Sequence, residues 1–133
     1  MTVIETALQF AEAINSGEAD QLSELMTEGH TFVDSDGSEH SGRQEMRVGW
    51  DQYFSMVPDF RIHVEHSSFS DNTVALFGRA EGTFIQNGTV SEVNHWEVPA
   101  AWRVVVENNR VAIWHLYVNP QPMIEIYNRI HAE

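Results

Sequence analysis

The chain has no cysteine and no lysine, and none of its apolar runs approaches the roughly 18 residues needed to cross a bilayer. Without cysteine there is no disulfide, no thiolate metal centre and no cysteine nucleophile, a composition that agrees with a reducing compartment. Without lysine, seven arginines stand against 20 acids, and the formal net charge is −13. Such a surface repels phosphate backbones and anionic lipid heads, so neither nucleic acid nor a membrane is an expected partner. The N-terminus carries neither a basic stretch nor an apolar one of the secretory kind, and a cytoplasmic location is the expectation. Internal repeats, linkers and low-complexity tracts are also missing.

What is present fits one domain over residues 1–133, with four Trp, seven Phe and three Tyr to fill a large core or wall a cavity. Ile4, Ala7, Leu8, Ala11 and Ile14 recur at helical spacing and stop at Asn15-Ser16-Gly17. A shorter helix is expected through Ala19, Leu22, Leu25 and Met26, closed by Gly29. Ser41 and Gln44 have capping-box spacing ahead of a third helix bearing Met46, Trp50, Tyr53, Phe54 and Val57, which Pro58 stops. From Phe60 the period changes to two. Strands are predicted from Phe60, over 74–84, 92–106 and 111–118, with turns at Asp71-Asn72, Asn87-Gly88 and Asn108-Asn109. Pro120 and Pro122 lead into a closing helix through Ile130. Helices followed by antiparallel strands make an α+β fold in which a curved sheet is packed by helices on one face and keeps an open mouth.

Asp34 is the most informative residue, because it follows Phe32 in the alternating run Thr31-Phe32-Val33-Asp34, just before the turn formers Ser35, Asp36 and Gly37. If Phe32 faces the core, Asp34 faces it too, and burial of a carboxylate without a partner is one way proteins obtain a general base near neutrality. The other reading is that Asp34 ends the strand and caps the turn in water. Arg79 and Glu81 share a strand face, where a guanidinium could hold a carboxylate and a water. They form either such a site or a surface pair, since Val74, Leu76, Gly78 and Ala80 make the opposite face equally suited to point inward. His95, Glu97 and Arg103 alternate with Trp96, Val98 and Trp102, which places the polar set on the outer surface.

Seven histidines invite a metal reading, but His63 and Glu65 lack a third ligand and no His-Glu-x-x-His spacing occurs, so no metal is expected. Asp34-Ser35-Asp36-Gly37 has its glycine at the wrong place for a calcium loop. The candidate pocket lining is Phe10, Phe32, Trp50 and Phe54 from the first half of the chain, with Trp96, Trp102, Trp114 and Leu116 from the second. Aromatic walls with one or two acids suit an uncharged, largely apolar small molecule.

The segment Gly42-Arg43-Gln44-Glu45 after an acid-bearing strand, the helix closed by Asn15-Ser16-Gly17 and the ending Trp114-His115-Leu116-Tyr117-Val118-Asn119 resemble the nuclear transport factor 2-like superfamily. Within it the chain is most similar to SnoaL-like proteins, the group that includes polyketide cyclases, ketosteroid isomerase and limonene epoxide hydrolase. The resemblance implies a cone-shaped barrel of mostly antiparallel sheet wrapped on N-terminal helices, formed by a single SnoaL-like domain. It puts Asp34 at the general base of ketosteroid isomerase, whose tyrosine and protonated aspartate fall on Phe10 and Ala101, neither a hydrogen-bond donor by its side chain. Arg79-Ala80-Glu81 resembles the Arg-x-Asp element of the epoxide hydrolase, whose second aspartate falls on Leu116 and whose water-holding Tyr and Asn fall on Phe32 and Asp34. The expectation is a cofactor-free enzyme acting by acid–base chemistry on a small hydrophobic molecule, as a homodimer through the outer sheet face. Asp34 is then the base, and Arg79 and Glu81 position water or charge. A non-catalytic ligand-binding domain of the same fold is the alternative, favoured by Phe10, Ala101 and Leu116.

Overall fold

The computed structural model describes residues 1–132. Helix α1 (Val3–Ser16) begins at Thr2, whose hydroxyl accepts from the Glu5 N–H while the Glu5 carboxylate accepts from the Thr2 N–H. It ends at Gly17, which adopts the left-handed φ of 72° that a glycine takes without penalty. Its buried stripe of Ala7, Phe10, Ala11 and Ile14 follows the predicted spacing. Helix α2 (Ala19–Glu24) is shorter than expected, because Met26 already belongs to strand β1 (Met26–Val33) and Gly29 lies within that strand instead of closing a helix. The cause is a distant partner: β1 runs parallel to β6 (Arg110–Val118), with Met26 opposite Val111 and Phe32 opposite Trp114.

Strand β2 (Glu39–Ser41) folds back on β1, and helix α3 (Arg43–Met56) follows. The capping box expected from Ser41 and Gln44 does not form. Gly42 is the N-cap at φ 109°, and the Ser41 hydroxyl bonds that of Thr31 instead (2.9 Å). Strands β3 (Arg61–Ser70), β4 (Thr73–Gln86) and β5 (Thr89–Glu107) then form an antiparallel meander with β6. Its turns sit where predicted: Asn87, Gly88, Asn108 and Asn109 all have positive φ, the conformation of tight hairpins that follow strand twist. The sheet order is β2-β1-β6-β5-β4-β3, and β1 with β6 is its one parallel pair.

All three N-terminal helices lie on one face of this sheet, and that face is apolar. Leu76, Ala80, Phe84, Trp96, Val98 and Trp102 are buried on it. The opposite face carries Arg79, Glu81, His95, Glu97 and Arg103, which fixes the direction of residues 74–84: the Leu76 and Ala80 set points inward. At Gly78 the sheet is too tight for a side chain, since a Cβ there would stand 1.8 Å from the His63 carbonyl oxygen. Helix α4 (Gln121–Ile130) closes the chain. None of its residues is buried, and Arg129 ties it to β5 through the Val93 carbonyl (2.7 Å) and Asn94 Oδ1 (2.6 Å). Among the described residues no helix is long and apolar enough to cross a membrane.

Candidate functional site

Between the helices and the inner sheet face lies a cavity of about 620 Å³, bordered by β1, β2, α3, the inner faces of β3 to β6, and α4. Trp96, Trp102, Trp114 and Leu116 line it from the sheet, Trp50 from α3 and Phe32 from β1, as the sequence predicts. Phe10 and Phe54 do not. Phe10 is fully buried beneath the cavity, its ring 4.8 Å from that of Trp114 and 5.6 Å from that of His30, and Phe54 packs on Trp50 at 5.5 Å. Phe10 belongs to the core and half-buried Phe54 packs against it, because α1 and α3 present them to neighbouring side chains and not to the open space.

Asp34 reaches the cavity beside Phe32 and is half-buried. It also starts the turn that closes the β1–β2 hairpin: its N–H donates to the Ser38 carbonyl (2.9 Å) and its carbonyl accepts from Gly37 (2.9 Å). The two readings of this residue are therefore compatible. Oδ1 accepts the Ser35 N–H (2.7 Å), and among the described residues no arginine or histidine forms an ion pair with the carboxylate.

Arg79 and Glu81 are not part of this cavity. They lie across the sheet from it, where His63 Nε2–H donates to Glu81 Oε2 (2.6 Å) and His95 Nε2 stands 3.3 Å from Oε1. Arg79 donates to Glu97 (2.6 Å) and stands 3.6 Å from both Glu81 and Glu65. His95 Nδ1 is 2.7 Å from the Thr83 hydroxyl, which donates to Asp59 (2.7 Å). The strand parity of β4 decides this, since Ala80 points into the cavity and its two neighbours must point away. Ala101 is also outward-facing, opposite Tyr117 on β6, so the position the resemblance assigns to an oxyanion donor is not in the cavity either.

The cavity residue with a polar group that sequence reasoning missed is Tyr53. Read only as part of the apolar stripe of α3, it lines the cavity, clamped at right angles between Trp50 (6.1 Å) and Phe60 (5.1 Å). Burial, with the negative charges of Asp34 and Asp59, pushes its phenol above the ordinary value of 10.0, so the group remains a proton donor. A hydroxyl on an otherwise apolar helical stripe was the available signal. His40 and Glu45 also border the cavity near its mouth. Among the described residues no three His, Asp or Glu side chains are grouped as metal ligands. His30 is fully buried under the site, donating from Nδ1 to the Val111 carbonyl (2.7 Å), and burial lowers its pKa despite that bond.

This arrangement of helices, six-stranded sheet and cavity can be set beside known proteins. A family model described as the SnoaL-like domain matches residues 7–116. The chain belongs to the SnoaL-like family. This SnoaL-like chain is similar in fold to a candidate SnoaL-like polyketide cyclase from Shewanella denitrificans, at 15% identity and a TM-score of 0.80 over 96% of this chain and 97% of that one. A candidate polyketide cyclase from Xanthomonas campestris gives 15% identity and 0.79 over 92% and 94%. A nuclear transport factor 2-like protein from Anabaena variabilis gives 16% and 0.72 over 90% and 94%. At such identities the likeness shows the nuclear transport factor 2-like fold and no particular reaction. No curated protein matches the SnoaL-like sequence significantly.

Proposed function

We propose that this SnoaL-like protein is an acid–base catalyst acting on a small, largely apolar molecule, with Asp34 as the base and the Tyr53 hydroxyl as the hydrogen-bond donor. One observation carries the reading: a carboxylate without a cationic partner among the described residues and a phenol held protonated line the same aromatic cavity. The step this pair suits is proton transfer at a carbon next to a carbonyl. Asp34 takes the C–H proton, the electron pair moves onto the carbonyl oxygen, and the Tyr53 O–H stabilises the charge that develops there. Return of the proton to another carbon completes an isomerisation, whereas attack of the enolate on a second carbonyl of the same molecule closes a ring. Water activation by Arg79 and Glu81 has no place in this scheme, because neither side chain reaches the cavity.

The test is turnover of a panel of ketosteroid-type and polyketide-type ketones by the wild type and by Asp34→Asn, which keeps the pocket's shape but removes the basic oxygen. Failure of the wild type on every member, with ligand affinity unchanged in the variant, overturns catalysis. That outcome favours the second reading, a ligand-binding domain, which the apolar Leu116 on the cavity wall supports. On the outer sheet face the side chains of Phe77 and Tyr117 stand exposed along a shallow apolar groove. A second copy of the chain is the partner proposed for that patch, and a monomer in sedimentation at micromolar concentration excludes it.

A further inference from the structure

The charges on the cavity wall are of one sign. Asp34 and Glu45 line it, His40 is its one titratable base, and none of the seven arginines borders it. Arg43 and Arg47 are paired with Glu28 and Asp20, Arg79 with Glu97, and Arg110 and Arg129 bond backbone carbonyls elsewhere. Around the cavity the whole chain carries a formal charge of −13. A cleft with low-dielectric walls focuses such a field, so a carboxylate or phosphate ligand meets repulsion there and a cation meets attraction.

The rings next to those acids add a second attraction. Phe32 and Tyr53 stand at 85° and 89° to Trp50, and Tyr53 stands at 86° to Phe60. These four rings, with Trp96, Trp102 and Trp114, make the wall beside the acids aromatic, and an aromatic wall attracts a cation wherever a ring turns its face to it. A neutral hydrocarbon ligand accounts for the rings and for Asp34 as a base, but leaves Glu45 and the excess negative charge of the wall without a counterpart.

We infer that the ligand of this cavity carries a positive charge: a small alkylated amine whose ammonium sits among Trp50, Tyr53 and Phe60, facing Asp34 and Glu45. Its apolar remainder lies toward Trp102 and Trp114. This departs from the uncharged molecule that the sequence alone suggests. It rests on the reading of the cavity as the substrate site and names the substrate class.

The experiment uses three probes of one shape. Benzyltrimethylammonium, neopentylbenzene and 2,2-dimethyl-3-phenylpropanoate are cationic, neutral and anionic, and all four tryptophans border the cavity to report binding by fluorescence. The cation is expected to bind about 10-fold more tightly than the neutral probe, and the anion more weakly than either. Raising salt from about 0.05 to about 0.5 M weakens the cation alone. Glu45→Gln, at an exposed position that leaves folding intact, and Asp34→Asn each shrink the cation's advantage by about threefold without moving the neutral probe. Neopentylbenzene binding as tightly as the cation, or an unchanged ratio in both variants, overturns the inference; if Asp34→Asn still abolishes turnover, the acid–base reading survives that result. No binding by any of the three, together with no effect of Asp34→Asn on the ketone panel, removes both.

Discussion

Asp34 and Glu81 are both carboxylates set into alternating strand patterns, and the fold treats them oppositely. Asp34 enters an aromatic cavity with a backbone N–H as its hydrogen-bond donor and no cationic partner among the described residues. Glu81, on the far side of the sheet, is held between His63 and His95 with Arg79 nearby. The difference shows that residue type and local pattern do not make a carboxylate available for chemistry. Which face the pleat turns it to, and which cations the adjacent strands bring, decide that.

The two faces should differ most in stability. Trp114, 1% exposed and packed at a tilt against Phe10 and Trp102, anchors the inner face, so Trp114→Ala is expected to lower unfolding free energy by about 3–5 kcal/mol. Arg79→Ala on the outer face should cost under about 1 kcal/mol, because its ion pairs are partly solvated. Urea unfolding of the two variants measures both, and similar losses would break the contrast.

Chemistry should divide the same way. Asp34→Asn is expected to reduce turnover by about 100-fold or more, the scale of a general base, while Glu81→Gln stays near wild type. Equal losses in steady-state assays would mean that the outer cluster participates after all. Tyr53→Phe sharpens the inner half of the comparison with a loss of about 10-fold, carried mainly in kcat, since the hydrogen bond it removes strengthens as charge develops on the substrate oxygen. Because the phenol's pKa is raised, the wild-type rate should show no alkaline limb from Tyr53 up to about pH 10.

The smallest effect concerns His30, buried beneath the cavity. His30 is buried with a lowered pKa, so above its ordinary value of 6.5 it is neutral in both folded and unfolded chains and stability is unaffected. As pH falls below that value the unfolded chain takes up a proton that the folded one resists, and stability declines by at most about 1.4 kcal/mol per pH unit from this group. Replacing His30 by Phe should flatten that decline in urea midpoints measured between about pH 7 and about pH 5.5. An unchanged slope would assign the acid sensitivity to other groups.

Much of this was legible in the residues. The apolar stripe of α1, the asparagine and glycine turns, and the alternation of Trp96, Val98 and Trp102 follow from short-range sterics and periodicity, and each appears where the sequence puts it. Asp34 beside Phe32 in the cavity is also a short-range result, because two residues two apart on a strand must share a face. Less visible were the capping box at Thr2 and the early start of β1, where a weak helical signal through Met26 lost to pairing with a strand some 85 residues away.

The sequence by itself determined the class of fold, the acidic character, the absence of thiol chemistry and the identity of most of the aromatic wall. These depend on composition and on spacings of two to four residues, which the chain expresses without help. Only the tertiary structure decided which face of residues 74–84 lines the cavity, that Phe10 and Ala101 lie outside it, and that Tyr53 joins Asp34. Both faces of that strand read as plausible interiors, and the choice was made by the helices: α1 and α3 cover the side bearing Leu76 and Ala80, so burial of apolar area turned Arg79 and Glu81 toward solvent.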